Sequence, residues 1–167
     1  MANLLASAIS ITWKRNRDYA LRLVGDLTEA QMTAQPAPGQ RMNHAAWVLS
    51  HLNVYSPIAA AMLRGRPFAD PLDARYGQKS EVSDDPGEYE AKAILVEAFT
   101  RLHDDAARAL EETTPEILAS PTALERWRTQ HPLNGQMAMT LMVKHESFHL
   151  GQLSAWRRAM GLARVAM

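Results

Sequence analysis

Two histidines four residues apart, His145 and His149, are the groups in this 167-residue chain best spaced for chemistry. On a helix this spacing sets the side chains one turn apart on a single face, with Cβ atoms about 5–6 Å from each other. Both imidazoles can then reach one divalent ion at about 2.0–2.1 Å. The surrounding residues put the pair on a core-facing stripe: Leu141 and Met142 precede it at helical intervals and Trp156 follows. Imidazoles buried there without partners cost free energy. A metal offsets that cost, and hydrogen bonds within the core are the alternative.

The other histidines are His44, His51, His103 and His131. His103 follows Leu102, and taking Leu102 as inward turns His103 about 100° away from the core, toward solvent. His131 precedes Pro132 in a loop. His44 and His51 share one helical seam but stand seven residues, about 10 Å, apart along it, too far for one ion to take both. The 145/149 pair lies deep in its helix, His51 lies well inside its own, and His44 lies at the mouth. Depth therefore selects His51 as the third ligand and leaves His44 at the entrance.

Three neutral imidazoles leave coordination positions open, as catalytic metal sites do. The ring N–H groups of such ligands need partners. Gln152, one turn past His149, is placed for this or for substrate, and Asn16 and Tyr55 are further polar groups on inward stripes. The string His145-Glu146-Ser147-Phe148-His149 also satisfies His-Glu-x-x-His, where the glutamate of a metallopeptidase is the general base. A peptidase would use a strand edge to hold its peptide, and no segment here alternates as a strand does. Glu146 and His44 are candidate bases for a bound water; otherwise Glu146 is a solvated charge beside the stripe.

The elements that would position these groups are helices, for 3.6-residue apolar spacing dominates the chain. The first is expected from Asn3 to Gly25, with Leu5, Ile9, Asn16, Ala20 and Leu23 on one face. Thr28 and Gln31 have capping-box spacing. Asn43 is the expected N-cap of a second helix ending near Gly65, with His44, Val48, His51, Tyr55, Ile58 and Met62 as its seam. The stretch Arg66 to Gly87, rich in Pro, Asp and Gly, reads as a long crossover. A third helix is expected over Glu88 to Glu112, with Ala91, Leu95, Ala98, Leu102, Ala106 and Ala109 inward, and a last one over Asn134 to Gly161. This makes a single all-α domain over residues 1–167, a four-helix bundle with a long crossover between the second and third helices.

Composition narrows the functions. Eighteen basic residues balance eighteen acidic ones, so no overall field favours nucleic acid or anionic lipid as a partner. The pairs Arg157–Arg158 and Arg126/Arg128 read as solvated faces. With no cysteine, disulfides, thiolate ligands and a cysteine nucleophile are excluded. The N-terminal residues lack the basic lead and apolar core of a secretory signal, and no window is apolar enough to span a bilayer. The expectation is a cytoplasmic protein. Trp13, Trp47, Trp127 and Met137/Met139 offer patches for a homodimer.

The order of these parts resembles the DinB-like (DinB/YfiT superfamily) metal-binding four-helix bundles. The resemblance is carried by Leu27-Thr28 before a Pro/Gly break, the Ala45-Ala46-Trp47-Val48-Leu49-Ser50-His51-Leu52 segment, His145-x-x-x-His149-x-Gly151-Gln152-Leu153, and Arg157-x-x-x-Gly161. It implies one divalent ion, nickel or zinc, at His51, His145 and His149. Some relatives look like thiol-dependent transferases or isomerases in which the metal activates a cosubstrate such as mycothiol, bacillithiol or glutathione. His44 is an extra imidazole by comparison. The leading expectation is a metal-dependent small-thiol transferase or isomerase acting on a small molecule. The alternatives are a metal-dependent hydrolase with Glu146 or His44 as base, and a non-catalytic metal-binding or interaction module.

Overall fold

Four long apolar-striped stretches fold as helices. The computed structural model describes residues 4–166, so Asn3, the expected start of the first helix, lies outside the described residues. Helix α1 spans Leu4–Gly25, α2 Ala45–Leu63 and α3 Lys92–Glu112; the short α4 (Pro115–Ala119) and α5 (Glu125–Arg128) follow. The last helical run consists of α6 (Asn134–Met139), a π-helical segment (Thr140–His145) and α7 (Glu146–Ala159). Among the described residues there is no strand, only an isolated bridge between Pro121 and Leu133. Among the described residues no helix is long and apolar enough to cross a membrane.

Helices α1 and α2 each pack against both α3 and α7, which closes the four into a ring. The apolar interior divides into two clusters. One gathers Ile9, Trp13, Ile58, Met62, Leu110, Leu141 and Met142; the other gathers Leu23, Val48, Leu49, Leu95, Phe99, Leu153 and Trp156. Between them each long helix places polar side chains: Asn16 on α1, His51 on α2, His103 on α3, and Glu146 and His149 on α7, all under 9% exposed. A polar layer thus crosses the middle of the core, where side chains without partners would be costly.

The structure corrects several expectations: Leu5 and Ala91, expected on inward faces, are exposed. Helix α3 buries Phe99 and His103, not Ala98 and Leu102; inserting a phenyl ring removes far more apolar surface from water than inserting the alanine beside it. The N-cap of α2 is His44, whose Nδ1 accepts from the Trp47 backbone N–H at 3.2 Å. Arg157 is 2% exposed, so it is no part of a solvated face. Its guanidinium donates to the Leu23 carbonyl at the end of α1 and to the Asp26 carboxylate. Of the aromatic and methionine patches, Trp13, Trp47 and Met137 belong to this chain's own core.

The crossover between α2 and α3 is ordered by local caps. Two single 3₁₀ turns, Pro71–Asp73 and Pro86–Glu88, each start with proline and are capped by Asp70 and Asp85. A Cβ at Gly77 would lie 1.8 Å from the Pro71 carbonyl oxygen, so this turn closes only around glycine. The Thr28/Gln31 capping box forms, with Gln31 Oε1 accepting from the Thr28 N–H and Thr28 Oγ1 from the Gln31 N–H.

Candidate metal centre

The structure brings His51, His145 and His149 together and leaves the other three histidines elsewhere. His51 Nε2 lies 3.0 Å from His145 Nε2, and His149 Nε2 lies 3.2 Å from the same atom. Two imidazole nitrogens on one ion at about 2.05 Å stand about 2.9 Å apart for octahedral angles and about 3.3 Å for tetrahedral ones. The spacing fits a shared ion.

Two of the three rings are fixed from behind. His51 Nδ1 sits 2.7 Å from the Tyr76 carbonyl oxygen, which can only accept, so this nitrogen carries the proton. His149 Nδ1 sits 2.9 Å from Gln152 Oε1, which also accepts from Asn43 Nδ2 at 3.1 Å. Burial, reinforced by the neighbouring imidazoles, pushes the His51 pKa down to about 4 and that of His145 to about 2; burial alone drives the His149 pKa to about 4. All three rings are therefore neutral near pH 7. Each has one N–H, and for His51 and His149 it is spent on Nδ1, leaving both Nε2 lone pairs aimed at His145 Nε2. With no ion bound, a proton on His145 Nε2 can be shared between these two acceptors; a cation at the same point would take all three lone pairs at once. His145 Nδ1 is buried without a hydrogen-bond partner among the described residues.

Local structure explains the aim. The π-helical segment ends at His145, directly before the regular turn that carries His149; such widened turns change the direction of the side chains that follow them and recur at functional sites. Trp47 stacks on His51 with centroids 4.6 Å apart, and Tyr55 packs against His51 and His145. The histidines open onto a chamber of about 340 Å³ whose walls include Trp47, Tyr55, Met137, Leu141 and Phe148, a size suited to a small molecule.

The remaining candidates take other places. His44 is fully buried, its two ring nitrogens engaged by the Trp47 N–H and the Ser83 carbonyl, so it is a helix cap and does not line an entrance. Gln152 orients His149. Glu146 is 1% exposed and turned away from the three histidines: Oε1 lies 3.1 Å from His103 Nε2 and Oε2 meets Asn16 Nδ2. It is not a solvated charge, and both its oxygens are engaged by side chains of α1 and α3. Burial holds its carboxyl well above the usual range and pushes the His103 pKa down to about 3, so the pair is stable as two neutral groups. His103 also stacks on Trp13 at 3.6 Å, where solvent was expected. His131 lies beside Thr140 Oγ1. The Tyr76 carbonyl is the functional group that the sequence reading missed; the Tyr76-Gly77 step in a loop otherwise without pattern was the available signal.

A family model described as the DinB superfamily matches residues 12–153, a span that contains all three histidines. No curated protein matches the chain.

Proposed function

We propose that this chain, which belongs to the DinB superfamily, binds one nickel or zinc ion through Nε2 of His51, His145 and His149 and transfers a small thiol to an electrophile. The ring of α1, α3, α2 and the last helical run is read as a four-helix bundle with this site in its middle layer. The observation that carries the metal reading is the convergence of three neutral imidazoles, two buried and the third partly so, with the only proton of His51 and of His149 committed to acceptors behind them.

A divalent ion with open positions lowers the pKa of a bound thiol or water and so supplies a nucleophile at neutral pH. The chain contributes no sulfur nucleophile of its own, having no cysteine; the thiol must therefore come as a cosubstrate. Trp47, Tyr55, Leu141 and Phe148 hold the reacting molecule in an apolar chamber and limit its size. Gln152 and the Tyr76 carbonyl keep the two imidazoles in the tautomer that leaves Nε2 free. Hydrolysis with Glu146 as base is disfavoured because both its oxygens face α1 and α3. His44 is disfavoured because both its nitrogens are used.

The test is elemental analysis of protein purified without an affinity tag, followed by cobalt substitution. About one ion per chain is expected, and low-molecular-weight thiols should produce a thiolate-to-cobalt absorption band. Absence of uptake ends the metal reading; uptake without a thiol band or thiol-dependent turnover ends the transferase reading.

A further inference from the structure

A second chamber of about 490 Å³ adjoins the one over the three histidines, sharing Gln78, Trp127, Met137, Thr140, His145 and Phe148 as walls. Its lining includes Arg126, His131 and Lys144 and contains no carboxylate. Of its Arg and Lys side chains, Arg126 has a carboxylate, that of Asp70, beside it and Lys144 has none.

The two cations differ in what they are free to do. Arg126 is fixed in place: Nε donates to Asp70 Oδ2 at 2.9 Å, Nη1 donates to Gln78 Oε1 at 2.7 Å, and the guanidinium lies 4.9 Å over the Trp127 ring. Asp70 balances its charge and the assembly makes a rigid wall. The ammonium of Lys144, on the π-helical segment one residue before His145, has no hydrogen bond or ion pair among the described residues. Phe148 is 61% exposed at the rim, an apolar ring left in water beside the opening.

We propose that the outer chamber is a subsite for a small organic carboxylate, with its charged end at Lys144 and its apolar body along Trp127 and Phe148, directed toward the three histidines. The inference rests on the preceding reading only for what happens at the reacting end; the binding itself requires no metal. Ammonium–carboxylate attraction at the mouth of a low-dielectric chamber exceeds that of a fully solvated pair, and the aromatic faces supply the area that a short carboxylate alone would lack.

The probes are 4-phenylbutyrate and its neutral counterpart 4-phenylbutanol, titrated into metal-free and zinc-loaded full-length protein. Binding is followed by the Trp127 indole N–H resonance, assigned with Trp127→Phe. The acid is expected to bind about five- to tenfold more tightly than the alcohol in the metal-free protein. Lys144→Gln, an exposed position that leaves the core intact, should erase the difference, and Lys144→Arg should keep it. Equal binding of the two probes, binding of neither, or a preference that survives Lys144→Gln overturns the proposal. Zinc uptake on the same samples separates the two readings: no uptake with the preference intact sinks the metal site alone, and uptake without the preference sinks the subsite alone.

Discussion

Gln152 Oε1 lies 2.9 Å from His149 Nδ1, and the same oxygen accepts a second hydrogen bond from Asn43 Nδ2, which ties the ring of His149 to the segment leading into α2. An amide oxygen so placed holds the proton of His149 on Nδ1 and leaves Nε2 bare toward His145. The partner behind a ligand is thus part of how the ligand works.

Replacing Gln152 by Leu should therefore weaken zinc or nickel binding by about 10- to 100-fold while leaving one site per chain. Gln152→Glu keeps an acceptor at the same position and should retain binding. Competition with a chromophoric chelator measures both; equal affinity for wild type and Gln152→Leu would remove the amide from the site.

His51→Ala should abolish tight binding, because it deletes one of three donors. His44→Ala should leave the stoichiometry at one ion and instead cost about 0.5–2 kcal/mol of stability through loss of the α2 N-cap. Elemental analysis and urea unfolding separate the two effects. Metal loss in His44→Ala with retention in His51→Ala would mean that the wrong imidazole had been placed in the site.

Gly77→Ala is expected to act at a distance. The new methyl group would fall on the Pro71 carbonyl oxygen, and the loop must move to admit it. Tyr76, the preceding residue, supplies the carbonyl that fixes His51. Metal affinity should fall although no ligand is changed, and His51 should exchange its Nδ1 proton faster in NMR spectra. Unchanged affinity would show that the loop can shift without disturbing the Tyr76 carbonyl.

Helix positions and the grouping of His51, not His44, with His145 and His149 were legible because both depend on local spacing and on depth along one element. Residues brought in by tertiary packing were not. His103 was misread because Leu102 beside it looked the better core residue, whereas Phe99 one turn earlier fixes the rotation of α3. Glu146 was misread because a carboxylate is rarely fully buried unless paired, and its partners lie 43 and 130 positions away. The Tyr76 carbonyl carried no side-chain signal at all.

Those same partners define a further expectation for Glu146. Burial favours the neutral carboxyl, donating to His103 Nε2, and Gln presents an N–H in the same place. Glu146→Gln should stay within about 1 kcal/mol of wild type and keep its metal, whereas Glu146→Ala should lose about 2–4 kcal/mol by leaving a buried cavity and unpaired polar groups. Denaturant unfolding and metal content decide it. A large loss for Gln equal to that for Ala would indicate an ionised pair.

Asp26 and Arg157 set an expectation for acid stability. The Arg157 guanidinium, 2% exposed, holds the Asp26 carboxyl below its ordinary value of 3.8, chiefly by hydrogen bonding and against a smaller opposing effect of burial. A carboxyl with its folded pKa depressed contributes stability that is fully present above the unfolded pKa and is lost as pH falls through the folded one. The Asp26 side chain is 57% exposed, so solvent screening reduces the contribution well below that of a fully buried pair. Asp26→Asn should cost about 1–2 kcal/mol near pH 7 by leaving Arg157 buried without its counter-charge. The gap between variant and wild type should narrow below about pH 4 and close once wild-type Asp26 is protonated in both states. Urea midpoints measured from pH 7 to pH 3 test this. Arg157 also donates to the Leu23 and Ala163 carbonyls at 2.8 and 2.9 Å, and a gap that does not change with pH over that range would show that these carbonyls hold it without help from the ionised carboxylate.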